Sequence, residues 1–415
     1  MKTILKFLAY LSAVNGILLF IRPRDTALNT LIWIPKMIGA AISPVLGVVG
    51  LLGMLLGLVK RDWSLSLAGF LGAGLSARFM EKIPDGRDQI TSVFGSDLGV
   101  SLPKHPAGPV DFQRNLVIGQ KPRSGKPFVA DLWQPLGDSP RSGLGIIYSH
   151  GSGWRVGDKD MLTRPFFHRL VEQGHVVLDI AYSLYPEADL PTMVSEVNHA
   201  ILWMKENSRT VAINPDRIVL MGGSAGAHLS LLAAYAPGQP EFQPAGENND
   251  TTVRGVVAFY PAADLRDTFA QTESQVSRTQ RPIDKLANAM FNRIFELHPD
   301  PSSNSGGSGI EYENYLVNML GGTLEEIPQV YDLLSPITHV SKESPPTLIL
   351  QGSDDVFDLA PPVRCLHQAL QEAGVPVVLV EYPHTEHGFD LILPQISPVA
   401  QAATREVERF LAHMV

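Results

Sequence analysis

The stretch "RIVLMGGSAGAHLSLLAAY", Arg217 to Tyr235, decides the fold. A short apolar run, Ile218 to Leu220, of the kind found in strands buried on both faces, leads into Gly222-Gly223-Ser224-Ala225-Gly226 and then into an Ala/Leu-rich helical stretch. A strand-to-helix turn this tight forces its central serine into a strained backbone conformation. Glycines two residues before and two after it remove side chains that would strike the strand and the helix. Ser224 is thereby expected to stand exposed where a nucleophile is needed.

Working outward, the runs "LGIIYSH", "HVVLDIAY", "GVVAFY", "PTLILQG" and "PVVLVEY" are likewise continuous rather than alternating, as parallel strands covered on both faces require. Between two of them, Met193, Val197, Ala200, Ile201 and Met204 share one face of a helix. Strand alternating with helix predicts an open α/β sheet, with ligands bound beyond the carboxyl ends of its strands. A serine hydroxyl needs a base, and the base needs a partner that fixes its tautomer. "PTLILQGSDDVFD" offers Asp354 and Asp355 just past one strand, and "VVLVEYPHTEHGFD" offers His384 and His387 just past the next. Serine, then acid, then histidine is the chain order of the α/β-hydrolase fold.

"YSHGSGWRVGDKD", 148 to 160, places a glycine cluster directly after a strand. Such a cluster lets backbone N–H groups approach a phosphate or an oxyanion. The chain carries neither a Walker lysine motif nor a dinucleotide fingerprint, which favours the oxyanion. The expected donors are the N–H groups of Gly151, Ser152, Gly153 and Ala225. His228, one helical turn after Ser224, is expected to be structural, and Trp154, Tyr182 and Phe389 are placed either on a pocket wall or in the core.

These blocks, together with "AYSLYPEADLPTMVSEV", "INPDRIVLMGGSAGAHLSLLAA" and "LSPITHVSKESPPTLILQGSDDVFD", resemble the esterase/lipase α/β-hydrolases of the hormone-sensitive-lipase-like and feruloyl-esterase-like type. Within that type they look like membrane-associated microbial carboxylesterases such as the mycobacterial Lip enzymes. The resemblance runs from near residue 110 to the end. It implies hydrolysis of carboxylic esters through an acyl-enzyme on Ser224, with neither cofactor nor metal. It also selects Asp355, three residues after Gly352, as the acid, and His387, followed by Gly388 and Phe389, as the base. One departure stands out: Ser152 replaces a glycine usual in the family's loop, and if that position has a positive φ the serine carries roughly 1 kcal/mol of strain.

The 415 residues are enough for a large catalytic domain plus a smaller element. A net charge of −9 argues against a nucleic-acid partner. The single cysteine, Cys365, excludes an internal disulfide and is expected to be a buried small hydrophobe. Residues 1–84 hold three apolar segments, at 4–21, 38–59 and 64–80, the second the strongest membrane-span candidate, while the first also fits a signal peptide. Gly53 and Gly57 of "GMLLG" form a small-xxx-small pair.

The expected organisation is therefore N-terminal membrane-associated helices over 1–84, a Pro/Gly/Asp-rich linker over 85–110, and an α/β-hydrolase catalytic domain over 111–415. That domain contains a lid-like insertion at about 266–344, with "PSSNSGGSG" as a flexible stretch. The expected function is a membrane-anchored serine carboxylesterase acting on hydrophobic or lipid-like esters, with a small-molecule ester and membrane lipid as partners. The same triad also serves amidases, peptidases and acyltransferases, and an inactive hydrolase-fold scaffold is the rival from outside enzymes.

Overall fold

Five of the apolar runs are strands buried along their whole length: β3 (Gly145–Ser149), β4 (Val176–Ile180), β5 (Ile218–Gly223), β6 (Gly255–Phe259) and β7 (Thr347–Gly352). Successive side chains point to opposite faces, so complete burial means that helices and loops cover both. With β1 (Val110–Gln120), β2 (Pro127–Pro135) and β8 (Val377–Tyr382) they form an eight-stranded sheet of order β1-β2-β4-β3-β5-β6-β7-β8. β1 and β2 are antiparallel additions at one edge, whereas β4-β3-β5-β6-β7 run parallel. This is an α/β-hydrolase fold. The helix Leu190–Glu206 buries Met193, Val197, Ala200, Ile201 and Met204, the face expected from the sequence.

The structure, a computed structural model, describes residues 2–95, 110–244, 250–268, 282–296 and 312–415. The chain divides into two compact units. The larger comprises Arg87–Leu350, Asp358–Leu379 and Val407–Val415, and the smaller Met1–Gly86, Gln351–Phe357 and Val380–Glu406. Two features of the described residues cross the boundaries expected from the sequence. The linker assigned to 85–110 contains a helix, Arg87–Phe94, whose Ile90 is buried, and its remainder over 96–109 lies outside the described residues. The expected continuous catalytic domain over 111–415 gives up the segments around Asp355 and His387 to the unit that holds the N-terminal helices. Within the insertion, Pro282–Glu296, Tyr312–Leu320 and Pro328–Leu333 are helices, and "PSSNSGGSG" lies outside the described residues.

The smaller unit begins with α1 (Lys2–Leu19), α2 (Thr26–Ala41), α3 (Ser43–Lys60) and α4 (Trp63–Glu81). The apolar run expected as one segment over 38–59 is broken at Ile42. Pro44, in the first turn of α3, cannot donate the backbone hydrogen bond that would continue α2. Among the described residues α3 is the one helix long and apolar enough to cross a membrane. In α3 the glycines face inward and several large apolar side chains face outward. Gly50, Gly53 and Gly57 of α3 are buried, while Val48, Leu51, Leu55 and Leu58 of the same helix are exposed. Ser12 Oγ of α1 donates to the Leu46 carbonyl at 2.7 Å, a polar contact inside the bundle. Small residues on a helix face let a neighbouring helix approach closely.

Gly69 of α4 is where this approach is tightest, since an added Cβ would lie 2.3 Å from Met54 N and 2.4 Å from Gly50 O. Neither backbone atom can give way without separating α3 from α4. Gly69→Ala is expected to destabilise the bundle by about 1–3 kcal/mol, read as a lower melting temperature in detergent.

Cys365 is exposed, not buried. It lies on the helix Ala360–Glu372, whose buried stripe is Val363, Leu366 and Leu370, and one residue off such a stripe turns the thiol outward.

Candidate active site

In the larger unit, β5 ends at Gly223 and the helix Ala225–Tyr235 begins one residue later, leaving Ser224 alone at the turn. Its φ of 53° and ψ of −118° lie in a region that a residue with a Cβ rarely adopts, at a cost of order 1–3 kcal/mol. The turn is anchored by Ser224 N–H donating to the Phe259 carbonyl at 2.9 Å. Gly222 and Gly226 are obligatory. A Cβ on Gly226 would lie 2.0 Å from Ser149 O, and one on Gly222 would lie 2.6 Å from the Gly226 carbonyl carbon. Ser224 is partly exposed, although the residues on either side are buried.

The glycine loop after β3 lies in the same unit. Gly151 runs beside the turn at Ser224, because a Cβ there would lie 3.5 Å from Ser224 Cβ. Ser152, Gly153 and Trp154 follow with φ of 90°, 62° and 60°. The condition set for Ser152 is therefore met, and the serine carries its strain of about 1 kcal/mol. Its hydroxyl donates to Met161 Sδ at 3.0 Å. Ala225 opens its helix, where the first N–H groups have no intrahelical acceptor. The loop is held from below by Tyr182, whose hydroxyl donates to the His150 carbonyl at 2.9 Å and whose ring stacks on the imidazole at 4.4 Å. Burial pushes His150 down to about 4, so it is neutral at physiological pH. His228 is buried, its Nε2 is 2.8 Å from the Leu334 carbonyl, and burial lowers it to about 4 as well, which fits a structural histidine. Trp154, Tyr182 and Phe389 are all buried side chains.

The smaller unit holds Asp355 and His387, the acid and base expected from the sequence. His387 Nδ1 lies 2.8 Å from Asp355 Oδ2, and both residues are buried. A carboxylate oxygen only accepts, so Nδ1 carries the proton and Nε2 is left with its lone pair. Asp355 also accepts from Phe357 N–H at 2.9 Å and from Gln351 Nε2 at 3.0 Å, which fixes both of its oxygens. The alternatives do not form such a pair. Asp354 accepts from Lys36, while His384 Nδ1 is 4.0 Å from Asp354 and the His384 ring packs on Phe20. The structure thus joins Asp355 with His387 in one unit, and Ser224 with Gly151, Ser152, Gly153 and Ala225 in the other.

Residues that the sequence did not assign gather around this pair. Trp33 Nε1 donates to the His387 carbonyl at 3.0 Å, and Phe357 meets the His387 ring edge-on at 4.6 Å. Glu386, next to His387, is pushed up to about 7 by burial, against the opposing pull of Lys36 and with the Asp355 and Asp354 charges adding to the rise. Between its ordinary value of 4.5 and about 7 the folded protein keeps a proton that the unfolded chain has lost. Stability therefore falls as pH rises through that window, by on the order of 3 kcal/mol. Glu386→Gln is expected to flatten this part of the curve of melting temperature against pH.

The BD-FAE family model matches residues 131–360, more than half of the chain. The chain belongs to that family. Among curated proteins, this BD-FAE member is 30% identical over 286 residues to LipM of Mycobacterium tuberculosis, named a probable carboxylic ester hydrolase, with 68% of this chain and 58% of LipM covered. It is 29% identical over 269 residues to the esterase LipQ of the same organism, covering 64% of this chain and 55% of LipQ. The BD-FAE chain thus spans a little over half the length of these relatives. Its fold is shared with a solved esterase, Est2 of Thermogutta terrifontis, at a TM-score of 0.53 and 20% identity, over 75% of this chain and 95% of that one.

Proposed function

We propose that the protein is a membrane-anchored serine carboxylesterase that hydrolyses hydrophobic or lipid-like esters through Ser224, Asp355 and His387. The observation that carries the reading is Ser224 itself, held at φ 53° between two glycines that have no room for a side chain. Strain of this kind persists where the surroundings over-determine it, and a nucleophile elbow is what this strand, turn and helix compose. The hydrogen bond from His387 to Asp355 supplies the second half of the reasoning, since it puts the proton on Nδ1 and assigns the role of base to Nε2.

The chemistry runs in two halves. His387 Nε2 accepts the proton of Ser224 Oγ as that oxygen attacks the ester carbonyl, and Asp355 stabilises the imidazolium. The oxyanion of the tetrahedral intermediate is held by N–H groups of Gly151, Ser152, Gly153 and Ala225, each worth about 3 kcal/mol of transition-state stabilisation. Collapse expels the alcohol, which takes the proton back from His387, and water then releases the acid by the same route. No cofactor or metal enters this scheme. The helices of the 266–344 insertion shape the acyl pocket, and α3, with its outward Val48, Leu51, Leu55 and Leu58, anchors the protein in lipid. LipM and LipQ, named as ester hydrolases, support the reaction class.

The test is turnover of p-nitrophenyl esters of increasing acyl length by the full chain in detergent, alongside matched anilides and a fluorophosphonate probe. The expected result is ester cleavage far above amide cleavage, with the probe on Ser224. Equal cleavage of the anilides would move the reading to an amidase. A probe that labels nothing, with no ester turnover, would leave the inactive scaffold.

A further inference from the structure

The buried residues of α2 include Asn29, Trp33, Lys36 and Met37, spaced by three and four residues as one side of a helix requires. An amide, an indole N–H and an ammonium are out of place on a face turned to lipid or to an ordinary apolar core. The Lys36 side chain is 0% exposed. Its Nζ donates to Asp354 Oδ2 at 2.7 Å and to the Ile21 carbonyl at 3.1 Å, and forms an ion pair with Glu386 Oε1 at 3.0 Å. Asp354 immediately precedes Asp355, and Glu386 immediately precedes His387. One ammonium therefore ties together the two loops whose next residues form the acid–base pair.

Trp33 acts on the same loop from one turn away. Its Nε1 donates to the His387 carbonyl at 3.0 Å, and its ring stands edge-on to Phe357 at 5.5 Å. Met37 Cε lies 3.5 Å from where a Cβ on Gly388 would be. The two loops are also laced to each other, by Ser353 N–H to Tyr382 O at 2.9 Å and by Asp354 N–H to Thr385 O at 3.0 Å. A buried ion pair is a poor device for stability, because apolar residues of the same volume often do as well or better, whereas fixing one arrangement among several is its best-attested use. We infer that Lys36 and Trp33 are positioning residues that hold His387 and Asp355 in their hydrogen-bonded geometry, which makes α2 a working part of the acyl-transfer machinery as well as part of a tether. The consequence for turnover rests on the proposed esterase reading, but the geometry of the pair does not.

The experiment uses the full chain in detergent with two readouts. One is kcat and KM for p-nitrophenyl butyrate. The other is the proton between His387 Nδ1 and Asp355, followed by proton NMR downfield of the amide envelope, which reads the pair whether or not the protein turns over. Lys36→Met is expected to lower kcat by about 100-fold with KM within about twofold, and to lose the downfield signal. Lys36→Arg, which keeps the charge and the donors, is expected to recover most of both. Trp33→Phe keeps an aromatic ring at the site and loses the indole donor, so a fall in kcat of about fivefold is expected. If Lys36→Met does not fold because two buried carboxylates lose their partner, the neutral combination Lys36→Met/Asp354→Asn/Glu386→Gln removes that penalty and is expected to fold while still losing the signal. Wild-type kcat and an intact downfield signal in a folded Lys36 variant and in Trp33→Phe would overturn the inference. A wild type that turns over no ester, yet shows the expected signal pattern, would overturn the esterase reading and leave the positioning role standing.

Discussion

Ser224→Ala is expected to abolish ester hydrolysis, lowering kcat by about a millionfold, as removal of the nucleophile does in a serine hydrolase whose triad acts as a unit. The substitution deletes one oxygen and keeps the Cβ, so alanine meets the same φ of 53° with the same strain. Nothing that supports the turn is touched. The Ser224 N–H bond to Phe259 O is a backbone bond, and Gly222 and Gly226 still provide the close approach to Ser149. The variant should therefore melt within about 2 °C of wild type, which separates a chemical loss from a folding one. What remains is the rate given by substrate binding and the oxyanion donors without a nucleophile, about a thousandfold above the uncatalysed reaction. Steady-state kinetics on purified wild type and variant, with the melting curve of each, measure both. Retained turnover in the variant would place the nucleophile elsewhere in the chain.

The parts of this fold that were legible in the sequence are those in which one local constraint leaves few alternatives. β3 to β7 were readable because strands buried on both faces must be continuously apolar. The elbow was readable because only glycine fits where Gly226 passes 2.0 Å, by its missing Cβ, from Ser149 O. β1 and β2 were not, since β1 is half exposed and its pairing slips between Gln113 and Leu116 and again between Val117 and Gly119, which erases any clean alternation. The break between α2 and α3 was written at Pro44 but masked by the apolar residues on either side. Lys36 was visible as the one charge in a long apolar run, which is itself a signal that a polar partner exists. Its partner Asp354 is 318 residues away, a pairing that no local pattern contains. Cys365 was misplaced because residue type was used without the helical stripe of Val363, Leu366 and Leu370 beside it.

Asp355→Asn is expected to lower kcat by about 10⁴-fold while leaving the protein folded, the size of effect seen when the orienting carboxylate of such a triad becomes an amide. The reason lies in which donors face Asp355. Its Oδ1 accepts from the backbone N–H of Phe357 at 2.9 Å, a donor that cannot be re-aimed. An asparagine must keep its carbonyl oxygen there, and its NH₂ then takes the place of Oδ2, 2.8 Å from His387 Nδ1. Two donors cannot share that contact, so Nδ1 gives up its proton and accepts instead, and the imidazole switches to the tautomer with hydrogen on Nε2. The nitrogen proposed to take the proton of Ser224 is then already protonated. Gln351 does not relieve the conflict. Its Nε2 serves both Asp355 Oδ2 and the Gly352 carbonyl, each at 3.0 Å, and turning the amide over to meet the new NH₂ sets its oxygen against Gly352 O, at a cost of about 1 kcal/mol for the bond lost. The loss therefore falls on kcat, with KM close to wild type, because the wrong tautomer leaves substrate binding alone. Raising the pH does not restore the rate if this account holds, since deprotonating a neutral imidazole is out of reach. A variant whose kcat recovers by pH 9, or falls by less than about tenfold at any pH, would show that Asp355 does not set the tautomer of His387.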